Sequence, residues 1–231
     1  MNIFLDTANI EEIKKAKRWG VLRGLTTNPS IVAREGKEFL DLATELCELV
    51  SPFPVSLEVV DRTGEGMAEQ ARAISALARN VVVKLPTNPE GLAALNLLKG
   101  EGVKTNLTLI FSTSQAILAM SGGATYISPF IGRLEDRGYE GMGLVRDIMN
   151  IHSAYNFKTE VIAASIRDPH QVIEIAKTGA HIVTLPFAVL EKMLLNTMTD
   201  ADLDKFLNDW EKVPGRENAF KGTRRLEKVG A

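Results

Sequence analysis

The chain has 231 residues, 45% of them hydrophobic and 24% charged, with a formal net charge of −2. That is enough material for one large domain with a sizeable core, and the near-neutral charge argues against nucleic acid or an anionic membrane as partner. One cysteine, Cys47, excludes an internal disulfide, and the sequence shows neither a leader-like start nor a run of about 18 apolar residues, so it reads as a soluble cytoplasmic protein.

Short apolar or β-branched runs predict strands over residues 2–6, 21–26, 55–60, 81–86, 104–110, 126–131, 158–165 and 182–186. Helical spacing of apolar residues fills the intervals, at 10–19, 37–50, 66–79, 89–100, 113–121, 140–155, 169–178 and 187–195. Each strand is followed by a helix. Eight βα units of about 25 to 30 residues predict an α/β protein built as a (β/α)8 TIM barrel, with an open doubly wound sheet as the alternative that gives similar local patterns. No glycine-rich dinucleotide fingerprint follows any strand, which weakens that alternative. A further helix over 201–213 carries Leu203, Phe206, Leu207 and Trp210 at i, i+3, i+4 and i+7. The expected organisation is one barrel domain over 1–213, including this helix, and a tail over 214–231. The helix can pack on its own barrel or be exchanged between subunits. In the tail, Arg216, Lys221, Arg224, Arg225 and Lys228 face only Glu217 and Glu227, and the segment reads as a mobile or interface tail. Cys47, among Leu46, Leu49 and Val50, reads as a small buried hydrophobe.

The fourth run, Val81-Val82-Val83-Lys84-Leu85-Pro86, places a lysine in a strand covered on both faces. Burial disfavours an ammonium and favours the free amine, the form that attacks a carbonyl to make a Schiff base. The alternative is a lysine whose stem lies along apolar surface while its head reaches water. Barrel enzymes keep their active sites at the C-terminal ends of the strands. Those ends carry Asp6, then Thr26, Thr27, Asn28 and Pro29, then Glu58, Lys84, Asn106 and Thr108, Ser128 with Arg133 beyond it, Ser165 with Arg167, and Thr184. Taken singly, Asp6 could cap the first helix, Asn28 could be a turn residue, the serines could satisfy backbone groups and the arginines could be solvated. Glu58 resists such a reading. A carboxylate inside an apolar strand needs a cation or a polar cavity, and Lys84 on the neighbouring strand supplies one.

As a set these residues are chemically coherent. A Schiff-base lysine needs one group to shuttle protons during carbinolamine formation and dehydration, and another at the hydroxyl that is deprotonated when a C–C bond breaks. Glu58 and Asp6 fit those roles. Asn28, Asn106 and Ser128 suit the hydroxyls of a short sugar, while Arg133 and Arg167 with nearby serines suit a terminal phosphate, whose oxygens match a guanidinium fork.

The segments FLDTAN (4–9), GLTTNPS (24–30), VVVKLP (81–86), NLTLIFS (106–112), YISPFIGR (126–133) and AASIR (163–167) together resemble the transaldolase family, in its short branch that also holds the fructose-6-phosphate aldolases. The resemblance spans most of the chain up to about Val213. It implies a class I aldol mechanism without metal or cofactor, with Lys84 forming the Schiff base and Asp6 acting on the hydroxyl beside the cleaved bond. Glu58 and Thr108 match the pair holding a catalytic water; Asn28, Asn106 and Ser128 match groups around a dihydroxyacetone unit; Arg133, Ser165 and Arg167 match the phosphate site. It further implies transfer of that unit between sugar phosphates in the pentose phosphate pathway, and a ring-forming homo-oligomer, a pentamer or decamer, with the last helix reaching a neighbour. In the fructose-6-phosphate aldolases the resemblance places Gln where this chain has Glu58 and Tyr where it has Phe130, so both positions read as a transferase.

Other classes make different demands. A barrel whose lysine holds pyridoxal phosphate would use Lys84 too, but the loops after strands seven and eight lack a glycine-rich phosphate cradle. A metal-dependent aldolase needs clustered ligands, and His152, His170 and His181 stand apart in sequence without ligand-like spacing. A silent sugar-phosphate-binding barrel would have no use for a buried lysine beside a carboxylate.

Overall fold

The computed structural model describes residues 1–221. Eight strands close into a parallel barrel in sequence order. They are β1 (Asn2–Asp6), β2 (Leu22–Thr26), β3 (Val55–Glu58), β4 (Val81–Pro86), β5 (Thr105–Ile110), β6 (Tyr126–Pro129), β7 (Glu160–Ala163) and β8 (Ile182–Leu185), and β8 pairs back onto β1. The eight-unit barrel expectation therefore holds, and the open sheet is excluded. The helices are α1 (Ile10–Arg18), α2 (Pro29–Arg34), α3 (Phe39–Val50), α4 (Gly64–Ser75), α5 (Pro89–Leu97), α6 (Thr113–Ser121), α7 (Ile131–Glu135), α8 (Gly141–Tyr155), α9 (Pro169–Lys177), α10 (Phe187–Leu194) and α11 (Thr197–Trp210). Two of these, α2 and α7, were not foreseen. Each is a single short stretch after a strand, too brief to show an apolar period.

Local chemistry sets the helix starts. Asn9, Asn28, Thr63, Asn88, Ser112 and Asp168 each accept a backbone N–H of the first turn, and Pro follows Asn28, Asn88 and Asp168 at the first helical position. The last helix begins earlier than the sequence pattern suggested, because Asn196 accepts from the N–H groups of Met198 and Thr199.

Alternate residues on a strand point to opposite faces, so each strand has one set facing the helices and one facing the barrel lumen. The outward set, including Leu5, Leu25, Val55, Leu57, Val83, Leu85, Leu107 and Ile127, is buried in the main core beneath the helix ring. The inward set divides by height. Near the N-terminal ends, Phe4, Ile162 and Ile182 form a separate apolar cluster with Tyr126 against it. The Phe4 ring fills the space over Gly24, where a Cβ would lie 2.6 Å from its Cζ. Nearer the C-terminal ends the inward residues turn polar, and the site is built there.

Cys47 is buried in α3, as foreseen, and burial together with Glu48 pushes its thiol up to about 11. His152 and His181, separate in sequence, meet at a ring-centroid distance of 4.7 Å. Their nitrogens serve backbone: His152 Nε2 lies 2.8 Å from the Thr159 carbonyl, and the Val161 N–H donates to His181 Nδ1 at 3.0 Å. An Nδ1 that accepts is unprotonated, so the His181 ring is neutral. Burial and then the neighbouring His152 hold its pKa below the ordinary histidine range, with Glu160 opposing. Because the unfolded chain takes up the proton more readily, this contribution to stability is complete above about pH 6.5 and is lost as pH falls toward the lowered folded value. His181→Asn, which can keep an acceptor near Val161, should flatten the slope of melting temperature against pH between 7 and 5.5. A slope equal to that of the wild type would remove His181 from the acid sensitivity.

The barrel occupies the compact unit Met1–Met193, and a second unit starts at Leu194. Within the second unit Leu203, Phe206 and Leu207 on α11 are exposed, and the rings of Trp210 and Phe220 lie 5.6 Å apart. A 3-10 turn spans Arg216–Asn218. The tail residues Arg224, Arg225, Glu227 and Lys228 lie outside the described residues.

Candidate active site

Lys84 stands at the fourth position of β4 and is 3% exposed. Strand register sets Glu58 beside it on β3 and Asn106 beside it on β5. The ammonium donates to the Thr27 carbonyl at 2.8 Å and lies 3.4 Å from Glu58 Oε2. Glu58 is the last residue of β3, which ends two residues earlier than the apolar run suggested, and its side chain is 16% exposed. The lysine is therefore enclosed, and its head does not snorkel to water.

Asp6 ends β1 and does not cap the first helix, a task done by Asn9. Thr26 Oγ1 lies 2.8 Å from Asp6 Oδ1 and 2.6 Å from Thr184 Oγ1. A threonine has one hydroxyl hydrogen, and a carboxylate only accepts, so Thr26 donates to Asp6 and Thr184 donates to Thr26. This relay fixes the carboxylate across three strands. The sequence reading placed Thr26 and Thr184 at strand ends but gave them no part; nothing in sequence joins residues so far apart.

On the opposite wall Ser128 donates to Asn106 Oδ1 at 2.8 Å, and Asn106 Nδ2 points to Ser56 Oγ at 3.4 Å. Asn106 and Thr108 are completely buried. Thr108 Oγ1 is the one buried side-chain polar atom without a hydrogen-bond partner among the described residues. Asn28 is the N-cap of α2, its Oδ1 accepting from the Ile31 N–H, and the residue also lines the cavity.

The cavity, about 360 Å³, opens at the C-terminal ends of the strands and is lined by Asp6, Asn28, Lys84, Ser128, Phe130, Arg133, Ser165 and Arg167, with Ser30 and Arg34 of α2 on its rim. Eight of the eleven residues singled out from the sequence thus share one chamber. Glu58 instead faces an adjoining apolar chamber of about 440 Å³ that Asn28 also lines. Asn106 and Thr108 line neither of these two.

At the outer end, α7 starts without a side-chain cap, because the Ile131 and Gly132 N–H groups donate to the carbonyls of Ala164 and Ser165 at 3.0 and 2.9 Å. The two segments touch so closely that a Cβ at Gly132 would lie 2.2 Å from the Ser165 carbonyl oxygen. Ser165 itself has φ +65°, unusual for a residue with a side chain. The contact brings Arg133 and Arg167 to one end of the cavity. Arg133 lies over the Phe130 ring at 5.0 Å, and Arg167 pairs with Asp136 at 2.7 Å.

Among the described residues no three His, Cys, Asp or Glu side chains gather as metal ligands, and no helix is long and apolar enough to cross a membrane.

An enclosed lysine beside one carboxylate, a second carboxylate held by a hydroxyl relay and two arginines thus stand together at the C-terminal ends of the strands of a (β/α)8 barrel, where enzymes of this fold keep their active sites. The family model described as Transaldolase/Fructose-6-phosphate aldolase matches residues 3–223. The chain is 52% identical over 215 residues to the "Probable transaldolase" of Caldicellulosiruptor saccharolyticus, covering 93% of this chain and 99% of that protein. It is 54% identical over 212 residues to the "Probable transaldolase" of Kosmotoga olearia, covering 92% and 97%, and 51% identical over 214 residues to that of Aquifex aeolicus, covering 93% and 98%. The chain belongs to the transaldolase and fructose-6-phosphate aldolase family.

Proposed function

We propose that the protein is a transaldolase, moving a dihydroxyacetone unit from sedoheptulose 7-phosphate or fructose 6-phosphate to glyceraldehyde 3-phosphate or erythrose 4-phosphate in the cytoplasmic pentose phosphate pathway. The observation that carries this reading is the enclosed Lys84 ammonium 3.4 Å from Glu58 in a family whose name covers both transfer and aldol cleavage.

In this mechanism the Lys84 amine attacks the ketose C2 carbonyl and forms a carbinolamine, which loses water to give an iminium. Glu58 moves the protons of that step through a water that Thr108, with its unpartnered hydroxyl, helps to hold. Asp6 takes the proton from the C4 hydroxyl, the C3–C4 bond breaks so that C4 leaves as the aldehyde carbon of an aldose phosphate, and the pair of the broken bond stays with the three-carbon unit, which remains on Lys84 as an enamine. Attack of that enamine carbon on a second aldehyde, with Asp6 returning the proton, forms the new C–C bond; water then cleaves the iminium and releases the new ketose. Asn28 and Ser128 hold the hydroxyls of the three-carbon unit, and Asn106, which accepts from Ser128, orients it from behind. Arg133, Ser165 and Arg167 hold the phosphate.

Phe130 favours transfer over simple cleavage. Its ring lines the cavity and has no proton to give, so this position adds no acid beyond Asp6 to protonate the enamine carbon, and the enamine waits for an aldehyde. Fructose 6-phosphate alone should turn over slowly, and erythrose 4-phosphate should accelerate its consumption by about tenfold or more. Fast release of free dihydroxyacetone without acceptor would assign the chain to the cleaving branch of its family.

The exposed apolar stripe of α11, Leu203, Phe206, Leu207 and Trp210, supports a ring-forming homo-oligomer, a pentamer or decamer, with this helix covered by a neighbour. Sedimentation equilibrium should then give a mass several times the 25.3 kDa chain, and truncation before Asn196 should lower it. A monomeric full-length protein would overturn the assembly.

A further inference from the structure

We infer that Arg34, on the rim of the cavity, is a specificity-determining residue that holds the phosphate of the longer of the two sugar phosphates the enzyme must accept. The inference rests on the transferase reading above. A transfer does net chemistry only when the aldehyde that leaves differs from the aldehyde that arrives. Both carry a terminal phosphate, and both are measured from the same carbon, because the three-carbon unit stays on a lysine enclosed in a barrel strand. Aldoses differing by one carbon therefore bring their phosphates to two depths in one cavity. A single rigid phosphate site would fit one of them.

The charges lining the cavity match this demand. Three guanidiniums, those of Arg34, Arg133 and Arg167, line it together with Lys84, against one carboxylate, Asp6. Arg167 is tied to Asp136 at 2.7 Å, and Arg133 lies over the Phe130 ring. Both come from the α7 start and the β7–α9 loop, which the bond from the Gly132 N–H to the Ser165 carbonyl joins. Arg34 comes from a different element, the last residue of α2, and makes no ion pair or side-chain hydrogen bond among the described residues. Ser30, one turn earlier on the same helix, lines the same cavity and adds a hydroxyl. An arginine with no partner of its own is free to move its long side chain toward a phosphate that the fixed pair does not reach, and its fork can then pair with phosphate oxygens.

The test compares donors of two lengths, sedoheptulose 7-phosphate and fructose 6-phosphate, each with excess acceptor, on Arg34→Ala and Arg34→Lys. Arg34→Ala should lower kcat/KM for the seven-carbon donor by about tenfold, mostly through KM, and for the six-carbon donor by no more than about threefold. Arg34→Lys should recover most of the loss. Equal losses on both donors, a loss confined to kcat, or no loss would each overturn the role of Arg34. Borohydride trapping of unphosphorylated dihydroxyacetone on Lys84 separates the two levels of inference. An adduct in wild type and Arg34→Ala alike leaves the length comparison to decide on Arg34, whereas no adduct in the wild type overturns the Schiff-base reading and this inference with it.

Discussion

Replacing Lys84 with alanine is expected to reduce turnover by about ten-thousandfold or more, because it removes the proposed nucleophile and leaves only binding and general electrostatics. It should also abolish the borohydride-trapped adduct that the wild type forms with fructose 6-phosphate, readable as a mass shift on the intact chain. The fold should survive. Lys84 leaves behind the Thr27 carbonyl and a Glu58 side chain that is 16% exposed and can turn toward water, so the expected cost is about 1 to 3 kcal/mol. Lys84→Met, which fills the strand position with an unbranched apolar chain, is the companion variant and should melt closer to the wild type. Turnover near the wild-type rate in either variant would sink the mechanism.

Asp6→Asn is expected to give the second largest effect, and a different one. The amide oxygen can still accept from Thr26 Oγ1, so the relay from Thr184 is preserved and the backbone has no reason to move. An amide cannot take the proton of a sugar hydroxyl, however, and C–C cleavage should fall by about a hundred- to ten-thousandfold. In the proposed mechanism iminium formation at Lys84 precedes that step and does not use Asp6. The variant should therefore accumulate a trapped adduct carrying the whole six-carbon donor, where the wild type yields the three-carbon one. Loss of trapping in Asp6→Asn would move Asp6 from bond cleavage to Schiff-base formation.

The barrel was legible because its units repeat: apolar strand, turn residues, amphipathic helix, eight times over. Lys84 was legible for the opposite reason, as a charged residue inside a run of valines. What the sequence could not carry was geometry between distant positions. Asp6, Thr26 and Thr184 form one hydrogen-bonded line only because the barrel closes β8 onto β1. The short helices α2 and α7 escaped notice since six and five residues cannot display a period, and Arg34 and Ser30 escaped with them. The early end of β3 at Glu58 was hidden by Val59 and Val60, which continue the apolar run after the strand has stopped. The meeting of His152 with His181 needed two helix and strand placements at once.

The plug of Phe4, Ile162, Ile182 and Tyr126 makes the barrel a blind well with one doorway. In the proposed reaction a sugar phosphate could not enter at one end while its product drained from the other. The leaving aldehyde and the arriving one must use the same opening in turn, each blocking the other while it is inside. For the proposed transfer the expected kinetics are those of a revolving exchange, in which donor and acceptor compete for a single passage and excess of either slows the cycle. In the proposed cycle the order of events then follows from the closed floor of the barrel, which lies below Lys84.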